Sequence, residues 1–391
     1  MKRLTVSVLV IFAALTVLCG CDSILDGDIL SVTAHQEPLV KATDSVIEAS
    51  TFDELKDNML GFISKYEDTG EIRAYSYEGI IQEDIDLACS QIMNEEPLGA
   101  YAVSDITGIA TKIVSYYQIE ISITYKVTKE QLNSIFSVST IRYLKSELLD
   151  TLAAYKPSMS VQTKNLDLSE EDALSYVSDI YYENPKEIVL MPVTTVDFFP
   201  DSGSKRIIVF TFGYTKYETS TLRAMAINLN NTVQKIAETV SGSNDGAILL
   251  ALAERLMDVA DYDTETEGNY TNQNSAATAY GALVNGIAVG EGYAMAYKAL
   301  CDELGLECYV VLGELGEKQH AWNIVELEDH YYHIDVSRCD TDGIASSFLL
   351  NDTEMSESYS WDKSRHKICD GPLTYNSRTE SIIANTGASN S

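Results

Sequence analysis

An internal repeat constrains the fold of this chain more than any other feature of its sequence. Between about residues 45 and 220, apolar residues recur at an offset of 89 positions, first with helical spacing and then with the alternation of a half-buried strand. The helical set is Phe52, Leu55, Met59, Leu60, Ile63 and Tyr66, and adding 89 gives Ile141, Leu144, Leu148, Leu149, Leu152 and Tyr155. The strand set is Ile119, Ile121, Ile123 and Tyr125, and adding 89 gives Ile208, Phe210, Phe212 and Tyr214. We therefore predict two tandem copies of a small α+β module, over residues 45–130 and 134–219.

A second pair of helices supports this repeat. Helical patterns near Glu83–Met93 and Glu171–Tyr181 correspond at an offset of 88, and each is followed by a proline. Neither copy carries a cluster of His, Cys or Ser/His/Asp residues that would indicate chemistry. We therefore interpret the repeats as binding or spacer modules.

The N-terminus has the features of an export signal. Lys2 and Arg3 precede an apolar run, Leu4–Leu18, that is too short for a comfortable membrane span. The sequence LCGC that ends at Cys21 resembles the lipobox of bacterial lipoproteins, in which such a cysteine receives a lipid and becomes the new N-terminus. We predict a signal peptide over residues 1–20, lipid attachment at Cys21, a flexible stalk over 21–44 and a disordered tail over 371–391. An ordinary secretory signal is the alternative.

Composition and charge narrow the possible partners. The chain has 391 residues, of which 45% are hydrophobic, so it can bury substantial cores. Its net charge of -32 opposes binding to nucleic acid or to an anionic membrane surface, so any membrane association is expected through the lipid alone. The cysteines outside the signal region are odd in number and widely spaced, which predicts mostly free thiols. No cofactor is predicted.

The segment over residues 239–370 carries the informative motifs. We predict a helix over Gly246–Asp261, and a second helix that ends near Glu303 before a glycine. Leu306–Leu312 has the pattern of a buried strand. Two further strands, His320–Leu327 and His330–Val336, are joined by a tight turn. This arrangement predicts that His320 and Asp335 lie on neighbouring strands.

These stretches resemble a known family in order and spacing. The succession AYGALVNG, GEGYAMAYKALCDELGLECYVVLG, HAWNIVELEDHYYHIDVSRCD and SSFLLNDTEMSESYSWD is similar to bacterial transglutaminase-like domains, a branch of the papain-like fold. The resemblance covers about a third of the chain and implies an α+β domain with a Cys-His-Asp triad. His320 matches the histidine position and Asp335 the aspartate position, but Gly290 stands where the family has its cysteine.

The loss of the cysteine predicts a pseudoenzyme that recognises a peptide or a surface protein. Acyl transfer through a thioester needs a nucleophile near His320, and glycine cannot supply one. Cys301 lies about 16 Å further along the helix, since an α-helix rises 1.5 Å per residue. Cys339 is the alternative nucleophile of an active transglutaminase or peptidase-like hydrolase, and water activated by His320 is another. In a third alternative, the domain is a scaffold and the repeats bind the partner.

The other candidate residues have structural explanations beside the functional ones. A hydrogen bond between His320 and Asp335 can join two strands whether or not catalysis occurs. A metal site made by these two residues with His333 would lack further converging ligands, so no metal is predicted. Tyr293 and Trp322 are interpreted as packing residues, or as aromatic walls of a possible cleft.

Overall fold

A four-stranded sheet comes first in the computed structural model, which describes residues 46–266, 273–372 and 375. Its elements are β1 (Ile47–Ala49), α1 (Phe52–Ser64), β2 (Thr69–Ala74), α2 (Ile81–Asn94), α3 (Pro97–Ala102), β3 (Val103–Ile113) and β4 (Tyr116–Tyr125). The strand order is β1-β2-β4-β3, with β1 parallel to β2 and the other neighbours antiparallel. The predicted signal peptide, the lipid site at Cys21, the stalk and most of the predicted tail lie outside the described residues.

A second four-stranded sheet follows. After a short helix α4 (Lys129–Asn133), its elements are β5 (Phe136–Val138), α5 (Ile141–Ala153), β6 (Ser158–Lys164), α6 (Glu170–Glu183), β7 (Val193–Phe199) and β8 (Lys205–Gly213). The strand order is β5-β6-β8-β7, again with the first pair parallel and the others antiparallel. The two sheets therefore share strand order and strand directions.

The correspondence extends to individual positions. Helix α5 begins 89 residues after α1 begins, and it ends 89 residues after α1 ends. Ile72 lies opposite Ile119 in the first sheet, and Val161 lies opposite Ile208 in the second, again 89 residues further on. These matches support a duplication, which stays a prediction until the two segments are superposed.

The two segments differ on one face of their sheets. Ile207 and Val209 of β8 pack into the core of the first segment, and Ile207 is fully buried. At the positions 89 residues earlier stand Gln118 and Glu120, and Glu120 is exposed to solvent. The face that the first segment covers is therefore apolar, while the corresponding face of the first sheet is polar. Burial of apolar surface therefore joins the two segments.

The C-terminal segment forms a five-stranded antiparallel sheet packed on helices. Its helices are α7 (Thr219–Ala237), α8 (Asp245–Val259), α9 (Gly290–Glu303), α10 (Val336–Asp342) and α11 (Asp352–Met355). The strands of the sheet are β11 (Cys308–Leu315), β12 (Lys318–Leu327), β13 (His330–Ile334), β14 (Phe348–Leu350) and β15 (Tyr359–Trp361), in the order β14-β13-β12-β11-β15. Short strands β9 (Asp261–Tyr262) and β10 (Ile287–Ala288) pair in parallel before α9.

The sequence located most of these elements and misplaced some of their ends. The strand expected over Leu306–Leu312 begins at Cys308, and Leu312 is 44% exposed rather than buried. The last predicted strand ends at Ile334, so Asp335 follows the strand and is the N-cap residue of α10. Helix α7 was not predicted, although its apolar face is fully formed.

The core does not follow the predicted domain boundaries. The segment with the second four-stranded sheet, α7 and most of the C-terminal segment share one hydrophobic cluster, while the segment with the first sheet has its own. Burial of this shared surface predicts that the second repeat and the C-terminal segment unfold together. No helix within the described ranges is long and apolar enough to cross a membrane.

Candidate functional site: a histidine over a glycine

Helix α9 begins at the residue that replaces the expected nucleophile. Gly290 is its first residue, and the N-cap residue Val289 offers no side-chain cap to the free N–H groups of the first turn. The next residue, Glu291, is buried and accepts a hydrogen bond of 2.8 Å from the Tyr182 hydroxyl of α6. The helix start is therefore fixed against the second repeat, with its positive end at Gly290.

The imidazole of His320 lies directly over Gly290. A Cβ placed on Gly290 would lie 2.4 Å from Cε1, 2.7 Å from Nδ1 and 3.2 Å from Nε2 of His320. Contacts between carbon atoms are normally 3.5–4.0 Å. The ring therefore occupies space that any side chain at position 290 would need, and a cysteine there requires the ring to move.

Asp335 holds the other edge of the same ring. His320 Nε2 lies 2.7 Å from Asp335 Oδ2, which leaves Nδ1 on the side that faces Gly290. The predicted meeting of His320 and Asp335 is thus found, although Asp335 comes from the start of α10 and not from a strand.

The buried carboxylate of Asp335 accepts hydrogen bonds from several neighbouring groups. Its Oδ2 also accepts from the Tyr359 hydroxyl at 2.7 Å, and its Oδ1 accepts from the Ser337 hydroxyl at 2.7 Å and from the Arg338 N–H at 3.2 Å. Burial by itself raises the pKa of the Asp335 carboxyl, but His320 and these hydroxyl donors outweigh it, so the pKa lies below its ordinary value. The carboxylate is therefore charged at neutral pH, and each of its two oxygens accepts hydrogen bonds from the groups just named.

Sequence reasoning missed Tyr359 and Ser337. Both lie within the stretches that carry the family resemblance, but neither has a spacing signal that would link it to Asp335. Ser337 follows Asp335 by two residues in the first turn of α10, as expected of a short polar side chain near a helix start. Tyr359 comes from β15, at the far edge of the sheet from β13.

Tyr293 and Trp322 are packing residues and not walls of a cleft. Each is 1% exposed. The Tyr293 hydroxyl donates to the Ala260 carbonyl and to Asp340, and the indole N–H of Trp322 donates to His333. A buried aromatic residue with its polar atom satisfied contributes to the core and not to a ligand surface.

Cys339 has none of the properties of a displaced nucleophile. It lies within α10, not on a loop, and is 2% exposed. Its thiol lies 3.5 Å from the Ile344 carbonyl, as a donor. Burial, with the charge of Asp335, raises the pKa of the Cys339 thiol far above its ordinary value. Reactive cysteines need a lowered pKa and access to solvent, so this residue does not rescue the triad.

His333 belongs to a different cluster from the one considered for a metal. Its Nε2 lies 2.9 Å from Asp352 and its Nδ1 accepts from Trp322 Nε1, also at 2.9 Å. With Cys369, these ligand atoms lie within 4.8 Å of one another, which is close enough to surround an ion. However, an Nδ1 that accepts a hydrogen bond leaves the proton of a neutral ring on Nε2, where it is donated to Asp352 and blocks coordination. Burial lowers the pKa of His333 to about 4, so the ring is neutral at pH 7.

A small cleft borders the His320 ring. It has a volume of about 310 Å³ and is lined by Tyr262, Leu315, His320, Ser337, Arg338, Thr341 and Asp342. The His320 side chain is 8% exposed, so only part of the ring can contact a molecule in this cleft. Arg338 is the cationic residue of the lining, and Asp342 pairs with it at 2.9 Å.

Proteins similar to this chain are found among solved structures. No protein-family model matches the chain, and no curated protein matches it. Solved structures similar to it include a TGase, at 14% identity and a TM-score of 0.28, covering 56% of this chain and 60% of that one. A putative cysteine protease from Cytophaga hutchinsonii matches at 12% identity and a TM-score of 0.24, covering 37% of this chain and 62% of that one.

A third similar structure is a putative protease from Parabacteroides distasonis, at 7% identity and a TM-score of 0.22, covering 69% of this chain and 43% of that one. The chain thus spans less than two thirds of the length of each of these structures. The described residues have the α+β fold class that the sequence predicts.

Proposed function

We propose that this protein is an exported lipoprotein whose C-terminal domain is transglutaminase-like, has lost its nucleophile, and recognises a peptide or a protein at the outer face of the cell membrane. The position of the His320 ring over Gly290 carries the proposal. A thioester mechanism needs a thiolate within hydrogen-bond reach of the imidazole, and here the imidazole occupies the place of that side chain.

The retained pair fits a structural role. Both oxygens of Asp335 accept hydrogen bonds, and one of the donors is His320 of β12. The His320–Asp335 pair therefore stabilises the start of α10 against β12. An enzyme that uses Cys339 is disfavoured by the burial of that thiol. A hydrolase that uses water held by His320 would need room beside Nδ1, on the side where the ring packs against Gly290.

Catalytic assays test the proposed inactivity. We expect the wild-type protein to incorporate no fluorescent primary amine into a glutamine-containing peptide, and to release no ammonia from it, beyond the level of His320→Ala. A TGase serves as the positive control of the assay. Turnover by the wild type that disappears in His320→Ala would overturn the proposal, and further loss in Cys339→Ser would identify the displaced nucleophile.

The identity of the mature N-terminal residue tests whether a lipid anchors the protein to the membrane. We expect mass spectrometry of the mature protein to find Cys21 as the first residue, carrying acyl chains, and Cys21→Ala to abolish membrane retention of the processed chain. Cys19→Ala is the matched control and should leave retention unchanged. An unmodified mature N-terminus at another residue would contradict the lipid anchor.

A further inference from the structure

The C-terminal sheet has an unpaired strand edge beside a groove. Strand β11 pairs with β12 along its whole length, from Cys308 to Leu315. On its other side β11 pairs with β15 only over Gly313–Leu315. The edge of β11 before Gly313 therefore has no neighbouring strand among the described residues.

The register shows which backbone groups face this edge. The β11–β12 hairpin closes at the pair Leu315 and Lys318, so the odd-numbered residues of β11 exchange hydrogen bonds with β12. The N–H of Glu326 donates to the carbonyl of Glu307, which fits the same alternation. The N–H and C=O groups of Val310 and Leu312 therefore point away from β12. The pairing of Gly313 with Trp361 directs the N–H of Asp362 at the Leu312 carbonyl. The N–H and C=O of Val310 and the N–H of Leu312 have no strand partner on this side among the described residues.

A groove of about 460 Å³ runs along this edge. Its floor includes Tyr309, Val310 and Leu312, and Leu312 is 44% exposed. Helix α6 of the second repeat forms one wall, and the segment after β15 forms the other. An exposed strand edge in a groove of this kind is the surface to which an extended peptide adds as a further strand.

The two cations of the groove are already neutralised. Lys298 Nζ lies 2.9 Å from Asp302, and Arg365 lies 3.2 Å from Asp179. Asp179 also pairs with Lys145 at 3.2 Å, so each cation of the groove has a carboxylate partner, but Arg365 shares its own.

Two carboxylates of the groove lack such partners. Glu183 and Asp362 are exposed, and no cation of the described residues lies within 4.0 Å of either. Burial, with the positive charge of Arg365, lowers the pKa of His366 in the same groove, so its ring is neutral at pH 7. The groove is therefore acidic, within a chain of net charge -32.

We propose that an extended, basic peptide segment binds here by adding a strand to β11, through the N–H and C=O of Val310 and the N–H of Leu312, with its cationic side chains against Glu183 and Asp362. This inference rests on the proposed recognition function and names its partner class and contact surface. It places the partner on the strand edge and not in the cleft beside His320.

Fluorescence anisotropy with a labelled seven-residue peptide of alternating lysine and valine tests the inference. We expect binding that weakens with added salt, and several-fold weaker binding when alternate residues of the peptide are N-methylated, because methylation removes the peptide N–H that would pair with the Val310 carbonyl. The same peptide with glutamate in place of lysine should not bind.

Variants of the protein locate the site. Val310→Pro removes an N–H that points outward and leaves the β12 pairing intact, so it should weaken binding about tenfold while the thermal unfolding midpoint shows a folded protein. The double variant Glu183→Lys, Asp362→Lys should weaken it further. Glu254→Lys, an exposed carboxylate on α8, is the matched charge control and should have a much smaller effect.

Three results would overturn the strand-edge site: no binding of the lysine–valine peptide, equal binding of the N-methylated peptide, or binding that ignores Val310→Pro. If binding instead responds to Glu317→Lys, beside the His320 cleft, the strand-edge site is wrong while peptide recognition stands. Turnover in the catalytic assays would instead remove the proposed function itself.

Discussion

Replacing Asp335 with asparagine is expected to lower the free energy of unfolding by about 3 kcal/mol. The side chain is 1% exposed and accepts from His320, Tyr359, Ser337 and the Arg338 N–H. Asparagine keeps one acceptor oxygen, but its NH2 group replaces the other and faces donors there, in a buried place and without the charge; breaking a buried pair typically costs about 3–5 kcal/mol. Chemical denaturation at pH 7 measures the loss.

The exposed pair on the same helix supplies the control. Asp342→Asn makes the same chemical change where the carboxylate contacts Arg338 and its side chain is 51% exposed. Exposed ion pairs contribute about 0–1 kcal/mol, so this variant should unfold close to the wild type. Equal losses in the two variants would contradict the role assigned to Asp335.

The pH dependence of stability should also change in Asp335→Asn. The folded pKa of Asp335 is lowered, so its contribution is present above the unfolded pKa of about 3.9 and is lost as the pH falls through the folded value. Asp335→Asn removes this dependence. The difference in stability between wild type and Asp335→Asn should therefore shrink as the pH is lowered below about 4.

The effect of Gly290→Ala on the free energy of unfolding is expected to depend on the residue at position 320. In the wild type, Gly290→Ala forces the His320 ring to shift, and overpacking of this kind costs about 1–3 kcal/mol. In a His320→Ala background the obstacle is gone, so the added methyl group should no longer lower the free energy of unfolding. The double-mutant cycle measures this coupling.

Gly61 in the interior of α1 gives a matched control, because a Cβ there would meet nothing within 4 Å. Gly61→Ala should stabilise the protein by up to about 1 kcal/mol in both backgrounds. If Gly290→Ala behaves like Gly61→Ala in the wild type, the ring does not occupy the position that the structure gives it.

Gly290→Cys examines the same contact chemically. Once the ring has moved, Nδ1 of His320 and the N-terminus of α9 both favour a thiolate, so alkylation by iodoacetamide should show a pKa below the free-thiol value of about 8.5. Removing His320 should raise that pKa. A cysteine that titrates near 8.5 and ignores His320 would show that the triad geometry does not survive.

Local sequence patterns predicted many of the helices and strands. The 89-residue offset predicted helices α1 and α5 and strands β4 and β8, because apolar periodicity depends on residues a few positions apart. The same reasoning found α9 and the strands that bring His320 to Asp335. It did not predict that the outer apolar face of β8 is buried, because the residues that cover this face lie about a hundred positions earlier in the chain.

What the sequence determined by itself is the identity of the groups: a glycine at the start of a helix, a histidine and an aspartate at family spacing, and a net charge of -32. The tertiary structure decided where those groups lie. Thirty residues separate Gly290 from His320, and packing of α9 against β12 places the ring in the empty space of the glycine. Folding also buries Cys339 and leaves the β11 edge open. Burial and distance depend on contacts between elements far apart in the chain, which local periodicity does not encode.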